Sequence, residues 1–205
     1  MRFSTSLLTV LCLSSSALLG ACDDDEHNHN ENEVITTVIL TFTPAAGGAA
    51  VTATFNDPDG DGGAAPTVDP INLVAATTYT AAVRFENRLE TPAEDITVEV
   101  ADEATEHQVF FTGTAVNGPA SNQTGAALTH SYADTDAGGL PIGLANSFVA
   151  ARGTGTMLVT LRHMPPVNSA PAKTASAAMT VKDAGGFSTL GGATDVSVTF
   201  QVTVP

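Results

Sequence analysis

The chain has few basic residues, and this shortage excludes whole classes of partner. Its 205 residues include seven lysines and arginines against 22 aspartates and glutamates, which gives a net charge of −15 at pH 7. Binding to nucleic acid needs clustered lysine and arginine, and attraction to an anionic membrane surface needs the same, so neither partner fits this chain. The acidity is suited to cations, to basic partners or to solubility.

Cysteine and long apolar runs are also scarce. The apolar run at residues 7–13 is too short to span a bilayer, which takes about 20 residues. It follows the positively charged Arg2 and leads through small residues to Cys22, so we predict a secretory signal peptide over residues 1–21. Cys12 lies inside this signal peptide. The chain that remains has Cys22 alone, and its fold must stand without a disulfide.

Residues 19–22, with the sequence LGAC, resemble the lipobox of bacterial lipoproteins. The resemblance implies that a peptidase cuts before Cys22 and that its thiol carries lipid, which anchors the protein to a membrane. An ordinary signal peptide with an unrelated cysteine is the alternative. Residues 23–33 hold no apolar group, so we predict that the lipidated cysteine begins a disordered acidic tether over residues 22–33. An acid after the cysteine is compatible with inner-membrane retention and with surface export, so the leaflet stays open.

Apolar and polar residues alternate after residue 34, as expected of half-buried antiparallel strands. The alternation is clearest over residues 195–204, where the valines and Phe200 face one way while Asp195, Ser197 and the other polar residues face the opposite way. We predict a mainly β fold, an antiparallel immunoglobulin-like β-sandwich with one short helix, as a single domain over residues 34–205. A true immunoglobulin domain is not supported, because tryptophan and a cysteine pair are absent.

Two segments depart from this alternation. The sequence TPAE at residues 91–94 is a capping box with proline at the first helical position, and it predicts a short acidic helix over residues 92–104 that buries Ile96 and Val100. A strand with Ile96, Val98 and Val100 on one face is the alternative. Residues 165–192 are rich in alanine, glycine, serine and proline, and we predict a long loop there with a short strand around residues 178–181.

An aspartate-rich loop is a candidate calcium site. Asp57, Asp59 and Asp61, followed by a glycine, match the opening of a calcium-binding loop. Such a loop needs an acid at its twelfth position, where this chain has Val68, and Asp69 is the nearest substitute. The alternative is a β-hairpin turn, in which aspartate and glycine tolerate the backbone angles required. The two interpretations can coexist.

Two histidines are candidate ligands for a transition metal. His107 and His163 each lie at the end of a predicted core-facing stripe. A histidine there is most often a hydrogen-bonded rim residue, but the two could converge, with Glu103 or Glu106 as an oxygen ligand, in a site for zinc or copper. His27 and His29 lie among the acids of the tether and would bind transition metals loosely. We find no nucleophile elbow, cysteine nucleophile or phosphate-binding loop, so an enzyme is not predicted.

Several short sequence motifs together resemble those of a family of small Gram-negative lipoproteins with an acidic stretch after the lipid cysteine. They are DGDGG (59–63), TY (78–79), PAEDI (92–96), EHQVFF (106–111), LRHMP (161–165) and TDV (194–196). Members often carry the label "type 1 periplasmic binding fold", a fold of two α/β lobes for which this chain has neither the length nor the βα alternation. The resemblance implies an outer-membrane location, on the periplasmic face or the cell surface. It also implies an accessory role beside a TonB-dependent receptor.

We therefore expect a lipid-anchored binding protein of the cell envelope, without catalytic activity, that captures a divalent transition metal for such a receptor. The alternative is a structural or adhesive immunoglobulin-like surface module without a metal role, which predicts scattered histidines and an exposed apolar or β-edge surface. The oligomeric state does not follow from the sequence.

Overall fold

The computed structural model describes residues 33–60, 62–170 and 172–205. Over these ranges the chain forms two facing β-sheets and two short helices. The elements, in chain order, are β1 Thr37–Pro44, β2 Val51–Asn56, β3 Thr67–Val68, β4 Ile71–Asn72, β5 Thr77–Glu86, α1 Ile96–Asp102, β6 His107–Thr112, β7 Val116–Gly118, β8 Ser121–Asn122, β9 Leu128–Tyr132, β10 Ala145–Ala150, β11 Gly153–His163, α2 Ala177–Ala184 and β12 Ala193–Val204.

The larger sheet has the strand order β3-β2-β1-β5-β10-β9-β7-β8, and the smaller one has the order β4-β12-β11-β6. All pairings are antiparallel except those of β4 with β12 and of β7 with β9. The predicted mainly β sandwich is therefore confirmed. The predicted signal peptide and residues 22–32 of the predicted tether, among them Cys22, His27 and His29, lie outside the described residues. No helix of the described residues is long and apolar enough to cross a membrane.

The core lies between the two sheets and follows the alternation in the sequence. On β5 the side chains of Tyr79, Val83 and Phe85 are buried while the intervening residues are mostly exposed. On β12 every second residue from Val198 to Val204 is buried, as the pattern predicts. Each such aromatic or aliphatic side chain contributes about 1.5–3 kcal/mol when fully buried, so this periodicity is what holds the sheets together.

Helix α1 is confirmed, but its predicted start is wrong. The helix begins at Ile96, and its N-cap is Asp95, whose side chain accepts a hydrogen bond from the Thr97 backbone N–H. Residue Glu94 cannot be helical because its backbone pairs with Asn87 in an antiparallel bridge. The strand alternative is excluded because Val98 is 58 % exposed whereas Ile96 is buried.

Helix α2 lies where the sequence predicted a loop with a short strand, so that prediction is wrong. Its buried residues, Ala177 and Val181, lie one turn apart and pack with Phe110 and Met164 in a second, smaller apolar cluster. Gly185 ends the helix in the left-handed conformation that glycine adopts without strain. The helix is specified by this packing, because a segment of only eight residues has little helical stability of its own.

Candidate metal site

The pairing of β6 with β11 brings His107 and His163 together. The two residues are directly opposite each other in the antiparallel register, where side chains on the same face are nearest neighbours. Their rings stack with centroids 4.5 Å apart and an angle of 9° between planes, and both side chains are buried. The two predicted ligands are therefore close enough for one ion, which needs bonds of about 2.0–2.1 Å to each nitrogen.

The end of α1 supplies the two predicted carboxylates. Glu103 is the C-cap of the helix, and its Oε2 lies 3.9 Å from His107 Nδ1, one helical turn along the chain. Glu106 follows in the next turn, with its Oε2 3.5 Å from His163 Nε2. Ligand atoms of Glu103, His107 and His163 all lie within 4.8 Å of one another. The structure thus brings the four residues predicted for the domain site into one place.

Asp195 joins this group, although the sequence pattern assigned it to the opposite face of its strand. The register of β11 with β12 passes from Arg162–Thr194 to Leu161–Val196 and skips Asp195, so Asp195 is the extra residue of a β-bulge. A bulge redirects a side chain and breaks the strict alternation of the strand. The Asp195 side chain is 0 % exposed, and its Oδ2 lies 3.9 Å from His107 Nε2. We call Glu103, Glu106, His107, His163 and Asp195 the histidine–carboxylate cluster.

The strand containing Asp195 is held in place by Arg162 and by a glycine. The guanidinium of Arg162 donates to the carbonyls of residues 190–192 and to Thr194 Oγ1. The backbone of Gly192 approaches the His163 carbonyl so closely that a Cβ there would overlap its oxygen, and its φ of 85° also favours glycine. These contacts fix the segment that leads into the bulge.

Several buried polar atoms of the cluster lack a hydrogen-bond partner. Within the described residues these atoms are Nε2 of His107, Nε2 of His163, Oε2 of Glu106 and both carboxylate oxygens of Asp195. Leaving one such atom buried and unpaired costs about 1–3 kcal/mol. Separations of 3.5–3.9 Å are too long for good hydrogen bonds, but they suit two atoms that share one cation at about 2.1 Å each.

Electrostatics also favour a cation here. Burial, reinforced by the neighbouring His163, lowers the pKa of His107 to about 4, so the ring is neutral at pH 7 and able to bind a metal. Burial raises the pKa of Asp195 to about 6. Burial, together with Glu99, Asp195 and Glu103, raises the pKa of Glu33 to about 7. Glu33, which the sequence assigned to the tether, is therefore partly buried beside the cluster.

Lys173 and Asp136 form a buried ion pair next to the cluster. The sequence pattern did not predict this pair. Lys173 Nζ donates to the Ala104 carbonyl at 2.7 Å and to Asp136 Oδ2 at 2.8 Å. Both side chains are almost completely buried. The carbonyl of Ala104 adjoins Glu103, so this ion pair ties the end of α1 to two distant loops. No spacing in the sequence relates residues 104, 136 and 173, which is why the pair was missed.

The remaining histidine of the domain, His130, lies away from the cluster. Its ring is surrounded by Phe111, Tyr132 and Phe148, with centroids 4.6, 4.7 and 4.8 Å away, a group that we call the aromatic box. Its Nε2 bonds to Asn146 Oδ1 at 2.9 Å. The Asn146 amide nitrogen donates to the Gly143 carbonyl, so its oxygen faces the ring and Nε2 carries the hydrogen.

The candidate calcium loop connects β2 to β3. Asp59 Oδ2 accepts a hydrogen bond from the Ala64 backbone N–H, and Asp69 Oδ2 accepts one from the Thr54 backbone N–H. Asp57 Oδ1 is buried without a hydrogen-bond partner, and Asp61 lies outside the described residues. The pairing of β2 with β3 is that of the predicted hairpin. Calcium binding by Asp57, Asp59, Asp61 and Asp69 stays a prediction.

No family model, curated protein or solved structure matches this chain. The geometry of the histidine–carboxylate cluster is therefore the strongest indication of function.

Proposed function

We propose that this protein is a lipid-anchored binding protein of the cell envelope that holds one divalent transition metal ion, zinc or copper. The ion would lie at the histidine–carboxylate cluster, with His107 and His163 as nitrogen ligands and Glu103 and Glu106 as oxygen donors. The observation that carries the proposal is the pair of buried, stacked histidines whose unpaired nitrogens lie 3.5–3.9 Å from carboxylate oxygens.

The donor set favours these metals over calcium and magnesium. Imidazole nitrogen suits zinc and copper, whereas calcium and magnesium prefer sites built from oxygen atoms alone. Two buried histidines would contribute little to a calcium site. We therefore expect zinc and copper to bind at the cluster far more tightly than calcium.

The cellular setting of this proposal depends on the sequence. The predicted lipidation of Cys22 would tether the domain to a membrane, and the resemblance to outer-membrane lipoproteins favours delivery of the metal to a TonB-dependent receptor. Such delivery is binding and transfer, without catalysis. In the alternative, a structural or adhesive module, nothing would require two buried histidines to face several carboxylates.

Calorimetric titration of zinc, copper and calcium into the full chain in detergent tests the proposal. We expect one zinc or copper ion to bind, and we expect His107→Ala and His163→Ala each to abolish that binding. The double variant His27→Ala/His29→Ala should retain the site and lose only weaker binding. His130→Phe is the matched control, because it removes a buried histidine outside the cluster.

Two results would contradict the proposal. One is the absence of zinc and copper binding by the intact chain at neutral pH. The other is binding that survives both cluster substitutions and disappears with the tether histidines, which would place the only metal ligands in the tether. Circular dichroism on every variant separates the loss of a ligand from the loss of the fold.

A further inference from the structure

The bulge in β12 exposes a chemical conflict that a metal ion would remove. His107 Nδ1 lies 3.3 Å from the Glu103 backbone carbonyl, which can only accept a hydrogen bond. In the neutral ring the hydrogen is therefore on Nδ1, and Nε2 presents a lone pair. That lone pair faces Asp195 Oδ2 at 3.9 Å. Two acceptors thus face each other in a buried place: Nε2 has no hydrogen-bond partner, and the carboxylate has only the backbone N–H groups of Glu33 and Asp195 nearby.

From this geometry we propose that Asp195 is a further ligand of the metal, sharing the ion with His107 Nε2. The inference rests on the proposed function, and it deepens that proposal by naming a ligand that the strand pattern hides. Two bonds of about 2.1 Å that meet at a tetrahedral angle separate their donor atoms by about 3.4 Å. The observed 3.9 Å needs only a small closure.

The position of Asp195 favours a ligand over an incidental buried acid. Its side chain is 0 % exposed and accepts no hydrogen bond from another side chain, whereas Asp136, the other buried aspartate of this region, is paired with Lys173. Arg162 is the adjacent cation, but its terminal nitrogens donate to backbone carbonyls and Thr194, and its Nε has no hydrogen-bond partner. A bound ion would place a positive charge in direct contact with the buried carboxylate and offset the cost of burying it.

The added carboxylate of Asp195 also restricts the choice of metal. Two imidazoles and at least two carboxylates form a four-coordinate set that zinc accepts readily. The set contains no thiolate or thioether, the donors that select copper(I). We therefore infer a site for zinc or copper(II), closed by protein ligands, which suits capture and storage of the ion.

Zinc titration and cobalt(II) absorption spectra of the full chain in detergent test the role of Asp195. The variants are Asp195→Asn, which keeps the shape, and Asp195→Ser, which keeps the chain foldable if the amide does not fit. Asp183→Asn is the control, because it removes an exposed acid on α2 that is not part of the cluster. We expect Asp195→Asn to weaken zinc binding at least about tenfold and to change the cobalt(II) spectrum, with Asp183→Asn close to wild type.

The thermal midpoint without metal supplies a second, independent measurement. Removing a charge that burial makes costly should leave the metal-free Asp195→Asn protein as stable as wild type or more stable, while zinc stabilises it less. If wild type binds zinc and Asp195→Asn binds it equally well with an unchanged spectrum, Asp195 is not a ligand, although the proposed function stands. If wild type binds no zinc or cobalt, both proposals are wrong.

Discussion

The described part of the chain has two buried histidine environments, which share burial and a ring nitrogen without a hydrogen-bond partner but differ in their neighbours. His130 in the aromatic box and His107 in the histidine–carboxylate cluster both have their pKa lowered to about 4 by burial. The Nε2 of His130 is bonded to an amide, and its Nδ1 lies beside Gly118 among aromatic rings. The Nε2 of His107 faces the buried carboxylate of Asp195. Burial alone therefore does not identify a ligand, whereas the charge and bonding of the neighbours do.

The largest expected difference between the two environments is in metal affinity. We expect His107→Ala to weaken zinc binding at least about 1,000-fold, more than the 10–100-fold loss typical of outer-shell partners. His130→Phe should change it less than about twofold, because that ring lies outside the cluster and its Nε2 is bonded to Asn146. Competition with a chromophoric zinc chelator measures both affinities. An equal loss in the two variants would remove the distinction between the environments.

The buried ion pair of Lys173 and Asp136, beside the cluster, should contribute measurably to stability. Lys173→Met leaves Asp136 buried without its cation, and breaking such a pair typically costs about 3–5 kcal/mol of unfolding free energy. We expect the lower end of that range, because Asp136 keeps hydrogen bonds from the Gly138 and Leu140 backbone N–H groups. Urea denaturation checks this, with Lys182→Met on α2 as the control. Equal stabilities of the two variants would show that the buried pair contributes nothing.

The aromatic box should affect the pH dependence of stability and not metal affinity. The pKa of His130 is about 4 in the folded protein and 6.5 ordinarily. Between pH 4 and 6.5, His130 is therefore protonated in the unfolded chain and neutral in the folded one. The contribution of His130 to stability is complete above pH 6.5. It falls by about 3 kcal/mol as the pH drops to 4.

Unfolding free energies measured from pH 8 to 4 should therefore decline more steeply for wild type than for His130→Phe. His107 and Asp195 titrate in both proteins, so the difference between the two curves isolates His130. Parallel curves would mean that the ring accepts its proton in the folded state.

The smallest expected effect concerns the helix that carries Glu103. Asp95→Ala removes the N-cap hydrogen bond of α1 and should cost about 1 kcal/mol of unfolding free energy. Glu90→Ala, at an exposed acid in the preceding loop, is the control and should stay within about 0.5 kcal/mol. Thermal unfolding of both variants measures the difference, and no difference between them would show that the cap is dispensable.

Much of the fold and four of the five cluster residues could be predicted from the sequence. Alternation identified the main strands, and because it placed His107 and His163 at the ends of core-facing stripes, their convergence could be anticipated. Asp195 could not be, since the same alternation assigned it to the opposite face and a β-bulge has no signature in residue types. Helix α2 was missed because its alanines follow no strong period, although Val181 lies one turn after Ala177 and Gly185 follows as a helix end.

The register between β6 and β11 has a consequence for how the chain folds. His107, His163 and Asp195 come from three strands that are distant in sequence and adjacent in space. An ion bound to all three would act as a cross-link, closing long loops in the way that disulfides stabilise small secreted domains by about 2–4 kcal/mol. A one-residue slip of β6 against β11 would turn the histidines to opposite faces and lose the ion. Metal loading would thus select the correctly paired sheet from its misaligned competitors.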